Sequence, residues 1–182
     1  MNTMNSIVWM FPIIFMLHDF EEIIMAEAWG KRYKKAIDTT WPNHQPFALN
    51  YVNYCKTPTF SIGVEIIFLF FLLISLFSLI FQNYFIWYSA LLGITIHFVF
   101  IHIALCIHFK HYVPGIVTSI LFLFPSIWLL FTTASILHYN MTIILLASLT
   151  GIALTTLISP MHKLMGPLSR LLYKYSEASK WV

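Results

Sequence analysis

The sequence predicts an all-α membrane protein that folds as a bundle of five transmembrane helices. Of its 182 residues 59% are hydrophobic and 9% are charged, and the mean hydropathy is +0.80. Soluble domains carry roughly 25% charged residues, so this chain has too few polar side chains to cover a surface in water. Five apolar segments also reach the length of roughly 20 residues that a helix needs to cross a bilayer. They lie at about 6–28, 59–81, 84–108, 115–137 and 141–159.

The first two segments contain ionisable residues at membrane depth. The first segment is apolar except for the run HDFEE at positions 18–22 and for Glu27 near its end. A basic loop, 30–58, contains the turn-forming run TTWPNHQP and leads to the second segment, where Glu65 is the one ionisable residue. Because ionisable groups in a bilayer are costly unless they pair or bind a ligand, both segments are candidates for a functional site.

The remaining segments differ in polarity. The third contains His97, His102 and His108, and the fourth begins just after Pro114, since proline is tolerated in the first turn of a helix. The fifth has no ionisable side chain, and Pro160 ends it. We therefore expect residues 1–160 to form a single transmembrane domain.

The last segment, 161–182, is predicted to be an amphipathic basic tail. Its apolar residues recur at helical spacing against Lys163, Arg170 and Lys174. This pattern favours a short helix on the membrane surface. A partly disordered tail is the alternative.

The basic residues predict the orientation in the membrane. All ten Lys and Arg residues lie in 30–58, at Lys110 or after position 160. With five spans, these three regions lie on one side of the membrane. The positive-inside rule then places the N-terminus outside and the C-terminus in the cytoplasm of a multi-pass protein of the cell membrane. The basic residues form no stripe interleaved with aromatic residues, so we expect the lipid bilayer as a partner and no nucleic acid.

The orientation also places the polar side chains in depth. At a rise of about 1.5 Å per residue, four helices have polar groups in the cytoplasmic half of the bilayer. His18 and Glu22 share one helix face at i, i+4, with Glu21 beside them. His102 follows His97 by five residues, about 140° around a regular helix, so the two cannot face one centre without a bend.

These residues predict a metal centre, because imidazole and carboxylate groups suit zinc or iron. We expect a divalent metal ion as cofactor. Glu21 is the predicted general base that activates a water at the metal, and Thr118 is predicted to orient the substrate or that water. The predicted ligands are His18, Glu22, Glu65, His97 and His102. Glu65 is alternatively a carboxylate that supports the ligands, and His102 is alternatively a histidine that donates to a backbone carbonyl.

The run at 18–22 resembles the signature of the HXXEE-motif bacterial membrane proteins, a family of uncertain function. The resemblance extends to Gly93–His97 with His102, and to the run YVPG at 112–115 that leads to Thr118. It implies a small bacterial membrane protein with several helices, and it implies no reaction.

Several functions are consistent with these residues. The leading hypothesis is a metal-dependent enzyme that hydrolyses or oxidises a lipid or another membrane-soluble substrate. The alternatives are a proton-coupled or metal-ion transporter and a non-catalytic accessory module. A buried hydrogen-bond network that only fixes helix packing would also explain the cluster, and a homo-oligomer is compatible with each function.

Overall fold

The computed structural model describes residues 3–43, 45, 56–162 and 164–177, and every regular element in these ranges is helical. One π-helical segment, Phe98–Ile103, interrupts the third apolar segment between α5 and α6. The α-helices in chain order are α1 Thr3–Ile7, α2 Met10–Arg32, α3 Lys34–Thr40, α4 Thr57–Phe81, α5 Phe85–His97, α6 Ala104–Phe109, α7 Ile116–Ile136, α8 Met141–Thr156, α9 Ile158–His162 and α10 Met165–Glu177.

Local sequence explains several of the helix ends. Pro58 lies in the first turn of α4, where its missing N–H leaves no hydrogen bond unmade. The side chain of Asn140 accepts a hydrogen bond from the backbone N–H of Ile143 at 2.9 Å and caps α8. Lys31 and Arg32 end α2, where cations interact favourably with the helix dipole.

Three helices are long and apolar enough to cross a membrane. They are α4, the continuous run Phe85–Phe109 and α7, while α8 is a shorter apolar helix. Large apolar side chains cover the outside of the bundle, and Phe100, Phe124 and Phe131 are each at least 70% exposed. An apolar surface of this kind agrees with the predicted membrane character. The span count of five and the orientation stay predictions.

Aromatic packing joins α2, α4 and α5 at one end of the bundle. The ring of Phe71 lies 4.8 Å from that of Phe11 and 4.9 Å from that of Phe15, measured between centroids. Trp87 is fully buried and donates its indole N–H to the carbonyl of Val8 at 2.8 Å. These contacts hold α2 in a fixed position against α4 and α5.

Two glycines allow α5 and α8 to approach closely. A Cβ added at Gly93 would lie 2.5 Å from the backbone oxygen of Gly151, and one added at Gly151 would overlap the carbonyl oxygen of Ser89. Small residues at a helix crossing are a common way to pack membrane helices. The pair therefore sets how closely α5 and α8 pack together.

The basic region and the tail are more ordered than the sequence predicts. The region predicted as a loop, 30–58, contains the last residues of α2 and the whole of α3. Near its other end, the backbone N–H of Thr57 donates a hydrogen bond to the carboxylate of Glu27 at 2.9 Å. The tail contains α10, as predicted, and Ser169 and Thr59 of α4 share a hydroxyl hydrogen bond of 2.8 Å. Residue 44 and residues 46–55, which include most of the turn-forming run, lie outside the described residues.

Candidate functional site

The π-helical segment brings two histidines of the third segment together. In an α-helix, residues five apart point in different directions, whereas the i→i+5 bonding of a π-helix places them nearly one above the other. The Nε2 atoms of His97 and His102 are accordingly 3.2 Å apart. The bend that the sequence required for His97 and His102 to face one centre is therefore a change from α-helix to π-helix. Such π-helical turns are frequent at functional sites.

The proton of His102 is directed away from this cluster. Its Nδ1 lies 3.0 Å from the carbonyl oxygen of Pro114, in the loop between α6 and α7. Since a carbonyl only accepts, Nδ1 carries a proton, and in the neutral imidazole Nε2 then keeps its lone pair. His102 is fully buried, so this backbone contact fixes both the orientation of the ring and its tautomer.

Glu21 accepts four hydrogen bonds from the start of α7 and the loop before it. The hydroxyl of Tyr112 donates to one carboxylate oxygen at 2.6 Å, and the backbone N–H of Val117 donates to the same oxygen at 3.3 Å. The backbone N–H and the hydroxyl of Thr118 donate to the other oxygen at 2.7 and 2.6 Å. Burial raises the pKa of Tyr112, and the hydrogen bond to Glu21 raises it further. The carboxylate therefore anchors α2 to the N-terminus of α7, which favours anions.

Thr118 connects Glu21 to His18. Its hydroxyl has one proton, and the nearest acceptor for that proton is the carboxylate of Glu21. The hydroxyl oxygen therefore accepts from Nδ1 of His18, which is 3.0 Å away. His18, like His102, carries its proton on Nδ1 and leaves a lone pair on Nε2.

The Nε2 atoms of His18 and His102 face each other. Nε2 of His18 and Nε2 of His102 are 3.2 Å apart, and neither has a proton to donate to the other. Oε1 of Glu22 lies 3.4 Å from Nε2 of His102. The ligand atoms of His18, Glu22 and His102 all lie within 4.8 Å of one another, so these three residues can hold a metal ion.

Distances in this group agree with those between ligands of one metal ion. With bonds of 2.0–2.1 Å, two ligand atoms of a tetrahedral zinc site stand about 3.3 Å apart. Both imidazoles also donate through the opposite nitrogen to an oxygen, which is the usual way a protein orients a histidine ligand. We call His18, Glu22 and His102 the site triad.

Gly115 allows the site histidines to pack against the loop before α7. Its φ is +83°, and an added Cβ would lie 2.6 Å from Cε1 of His102 and 2.9 Å from Cε1 of His18. Glycine meets both requirements, because it adopts positive φ without strain and leaves room for the two rings.

The structure separates the predicted ligands into three classes. His18, Glu22 and His102 form the site triad, and His97 contacts it through His102. Glu65 is exposed on α4, on the same side as Leu69 and Leu73, whereas Val64 and Ile67 face the bundle. It lies outside the group of described residues that could hold a metal ion together. Depth alone suggested that role, and the helical phase turns the side chain outward.

The structure also shows site residues that the sequence interpretation did not include. Asp19 is 6% exposed, and its Oδ1 lies 3.9 Å from Nε2 of His18. Tyr112, Pro114 and Gly115 orient the triad through the loop. The signal for the loop was the Pro-Gly pair three residues before Thr118.

A family model for proteins of unknown function with an HXXEE motif matches residues 9–130. The chain belongs to the HXXEE family. No curated protein and no solved structure matches the chain. The matched region runs from the residue before α2 into α7, so it contains the whole site triad, the π-helical segment and the loop that orients them.

The motif residues of this HXXEE protein have distinct structural roles. The histidine, His18, and the second glutamate, Glu22, belong to the site triad. The first glutamate, Glu21, accepts hydrogen bonds from the residues that orient His18. One turn of α2 thus supplies two possible metal ligands, His18 and Glu22, and also Glu21, which helps to orient His18.

Proposed function

We propose that His18, Glu22 and His102 bind a divalent transition-metal ion inside the membrane, and that this HXXEE protein is a metal-dependent enzyme acting on a lipid or another membrane-soluble substrate. The observation that supports the metal is the contact of 3.2 Å between Nε2 of His18 and Nε2 of His102. Each atom has a lone pair and no proton, so the contact is favourable only with a cation between the rings.

A metal ion explains more of the geometry than a bridging proton does. One proton can join only one pair of acceptors. Here Nε2 of His102 has three neighbours within 3.4 Å, namely Nε2 of His18, Nε2 of His97 and Oε1 of Glu22. A metal ion gathers several such atoms at once, which a packing network of neutral histidines does not require.

Two imidazoles and one carboxylate are a donor set that zinc and iron both accept. Three protein ligands leave a coordination position for water or substrate, as in catalytic zinc sites with two histidines and a glutamate. The same set with open positions is typical of non-haem iron oxygenases. Zinc would supply hydrolysis, and iron would supply oxidation of an acyl chain.

Glu21 is better suited to positioning than to general-base catalysis. Its two oxygens already accept four hydrogen bonds, so no free lone pair is directed at the triad. The hydroxyl of Thr118, which donates to Glu21, also accepts a hydrogen bond from Nδ1 of His18. In the proposed enzyme these two residues hold His18 in the tautomer that binds metal.

The proposed arrangement in the membrane has five spans, with the N-terminus outside and the C-terminus in the cytoplasm. The absence of Lys and Arg from every predicted linker on the outer side supports it. The triad then lies in the cytoplasmic half of the bilayer, where the ester and acyl groups of lipids are within reach. On this arrangement α10 lies on the cytoplasmic surface.

The metal content of the purified protein tests the binding proposal. We expect about one zinc or iron ion per chain in the wild type and none in His18→Ala or His102→Ala. Glu65→Gln is the matched control for Glu22→Gln, because both remove a carboxylate from a helix of the bundle and only Glu22 belongs to the triad. A folded wild type that contains no metal and takes up none on dialysis would overturn the proposal.

The reaction is tested with the loaded protein in phospholipid vesicles. Zinc-loaded protein should release fatty acid from the vesicles if the reaction is hydrolysis, and iron-loaded protein should consume oxygen if it is oxidation. Each activity should disappear in Glu22→Gln and persist in Glu65→Gln. Metal-loaded protein that does neither, with phospholipids of several headgroups, contradicts the enzyme.

A row of buried hydroxyls on α7 favours a transporter as the second candidate. Ser119, Ser126 and Thr133 are seven residues apart and fully buried, and their hydroxyls have no partner among the described residues. By contrast, Ser89 and Thr95 of α5 donate to their own helix. The row leads from the residue next to Thr118 toward the far end of α7, as a polar pathway would.

Flux through proteoliposomes distinguishes this candidate from the enzyme. A transporter should move protons or the metal ion across the vesicle membrane, and Ser126→Ala with Thr133→Val should slow that flux without changing the metal content. If the loaded wild type conducts neither, the transporter is excluded.

A further inference from the structure

Two of the four acidic residues on α2 accept hydrogen bonds from other described residues, and the other two accept none from that part of the chain. Glu21 accepts four hydrogen bonds, and Glu27 accepts from Lys31 and from Thr57. Asp19 accepts no hydrogen bond from any residue that the structure describes, and its Oδ1 lies 3.9 Å from Nε2 of His18. The nearest contact of Glu22 is the ring of His102.

The two carboxylates without donors lie close together in the bundle. Asp19 and Glu22 are three residues apart on α2, and their side chains are 8% and 17% exposed. Residues at this spacing are neighbours on a helix surface. A buried carboxylate without a donor or a counter-ion is strongly unfavourable.

No basic side chain of the described residues balances these two charges. Among those residues, the one ion pair between a lysine and a carboxylate joins Lys31 to Glu27. The histidines do not compensate either, because the protons of His18 and His102 are directed to Thr118 and to the carbonyl of Pro114. The two carboxyl groups therefore have no cationic partner among the described residues, and a divalent ion bound beside Nε2 of His18 and Nε2 of His102 would supply one.

Resting on the proposed function, we infer that Asp19 is the charge-balancing carboxylate of the metal centre. Asp19 lies outside the group whose ligand atoms are all within 4.8 Å of one another, so it acts beside the triad as a positioning residue. With Asp19 and Glu22 both ionised, a divalent ion makes the centre neutral. Neutrality matters here because a net charge inside a bilayer is costly.

Cobalt titration of the full chain in detergent tests this role. We expect Asp19→Asn to weaken Co²⁺ binding by about 10–100-fold, the usual effect of losing a residue that supports metal ligands. Asp19→Glu keeps the charge and should restore most of the affinity. Glu65→Gln removes a carboxylate that lies outside the site and should bind Co²⁺ like the wild type.

Thermal unfolding separates charge balance from a packing role. Without metal, Asp19→Asn should melt at the same or a higher temperature than the wild type, because it replaces a buried carboxyl group that accepts no hydrogen bond from the described residues by a neutral amide of the same size. Its melting temperature should then rise less on addition of Co²⁺. A role in packing would instead lower the melting temperature of the metal-free variant and leave the cobalt affinity of the folded protein unchanged.

The outcomes distinguish this inference from the proposed function. If the wild type binds no Co²⁺, the metal centre itself is wrong, and the inference fails with it. If the wild type binds Co²⁺ and Asp19→Asn binds it equally well, the metal centre stands and the role of Asp19 is refuted. A loss in Asp19→Asn that Asp19→Glu restores supports the inference.

Discussion

Replacing Gly115 by alanine should disable the metal centre from the loop beside it. The added Cβ would stand 2.6 Å from Cε1 of His102, whereas ordinary contacts begin at 3.4 Å. The ring of His102 must therefore move by about 0.8 Å, and His18 must move as well. Metal ligands tolerate displacements of only about 0.2 Å, so we expect the metal affinity to fall well beyond tenfold.

The same substitution should also destabilise the fold. A residue with a Cβ in a left-handed conformation costs about 1–2 kcal/mol, and overpacking adds about 1–3 kcal/mol, so we expect a total loss of about 2–5 kcal/mol. Thermal unfolding of the metal-free protein measures this loss. Cobalt titration of the folded fraction measures the affinity separately.

A second substitution at the same position distinguishes the two causes. Asparagine tolerates positive φ but has the same Cβ, so Gly115→Asn should recover part of the stability and none of the metal affinity. Gly166→Ala in α10 is the control, because an added Cβ there meets nothing within 4 Å. If Gly115→Ala binds Co²⁺ like Gly166→Ala, the packing of the loop against the histidines has no role in metal binding.

Three further predictions follow from the same contacts. Thr118→Val removes the hydroxyl between His18 and Glu21 and should weaken metal binding about 10–100-fold. Thr118→Ser keeps the hydroxyl and should bind metal like the wild type. Equal affinities of Thr118→Val and the wild type in cobalt titrations would contradict this role. Burial raises the pKa of Tyr112 in the folded protein above the value of about 10 that tyrosine has in an unfolded chain. The contribution of Tyr112 to the free energy of unfolding is therefore complete below about pH 10 and is lost as the pH rises above that value. The difference in melting temperature between the wild type and Tyr112→Phe should therefore shrink above about pH 10, and a constant difference refutes the assignment. Gly151→Ala should lower the free energy of unfolding by about 1–3 kcal/mol, because the added Cβ overlaps α5. The cobalt affinity of the folded protein should stay unchanged. A loss of affinity equal to that of Thr118→Val would show that the crossing of α5 and α8 is coupled to the site.

The sequence predicted the helical segments well because their signals are local. Composition and the length of the apolar runs depend on no tertiary contact, and each of the five predicted segments contains a helix of the observed fold. The i, i+4 spacing of His18 and Glu22 was equally local, and both residues belong to the site triad.

The remaining site depends on contacts that a regular helix does not predict. His97 and His102 meet because the chain changes to a π-helix, and no local pattern indicates that change. Glu65 was predicted as a ligand from its depth along α4, but the direction of its side chain depends on which side of α4 packs against the bundle. The tautomers of the histidines depend on Pro114 and Thr118, which only the tertiary fold places beside them.

X-ray absorption at the metal edge tests the central claim most directly. The wild type loaded with zinc or cobalt should show scattering from two imidazole rings with metal–nitrogen distances of about 2.0–2.1 Å, and His18→Ala should lose one of the two rings. The Glu65→Gln spectrum should match that of the wild type. A wild-type spectrum without imidazole scattering, or one that His18→Ala leaves unchanged, would contradict a metal centre built on His18 and His102.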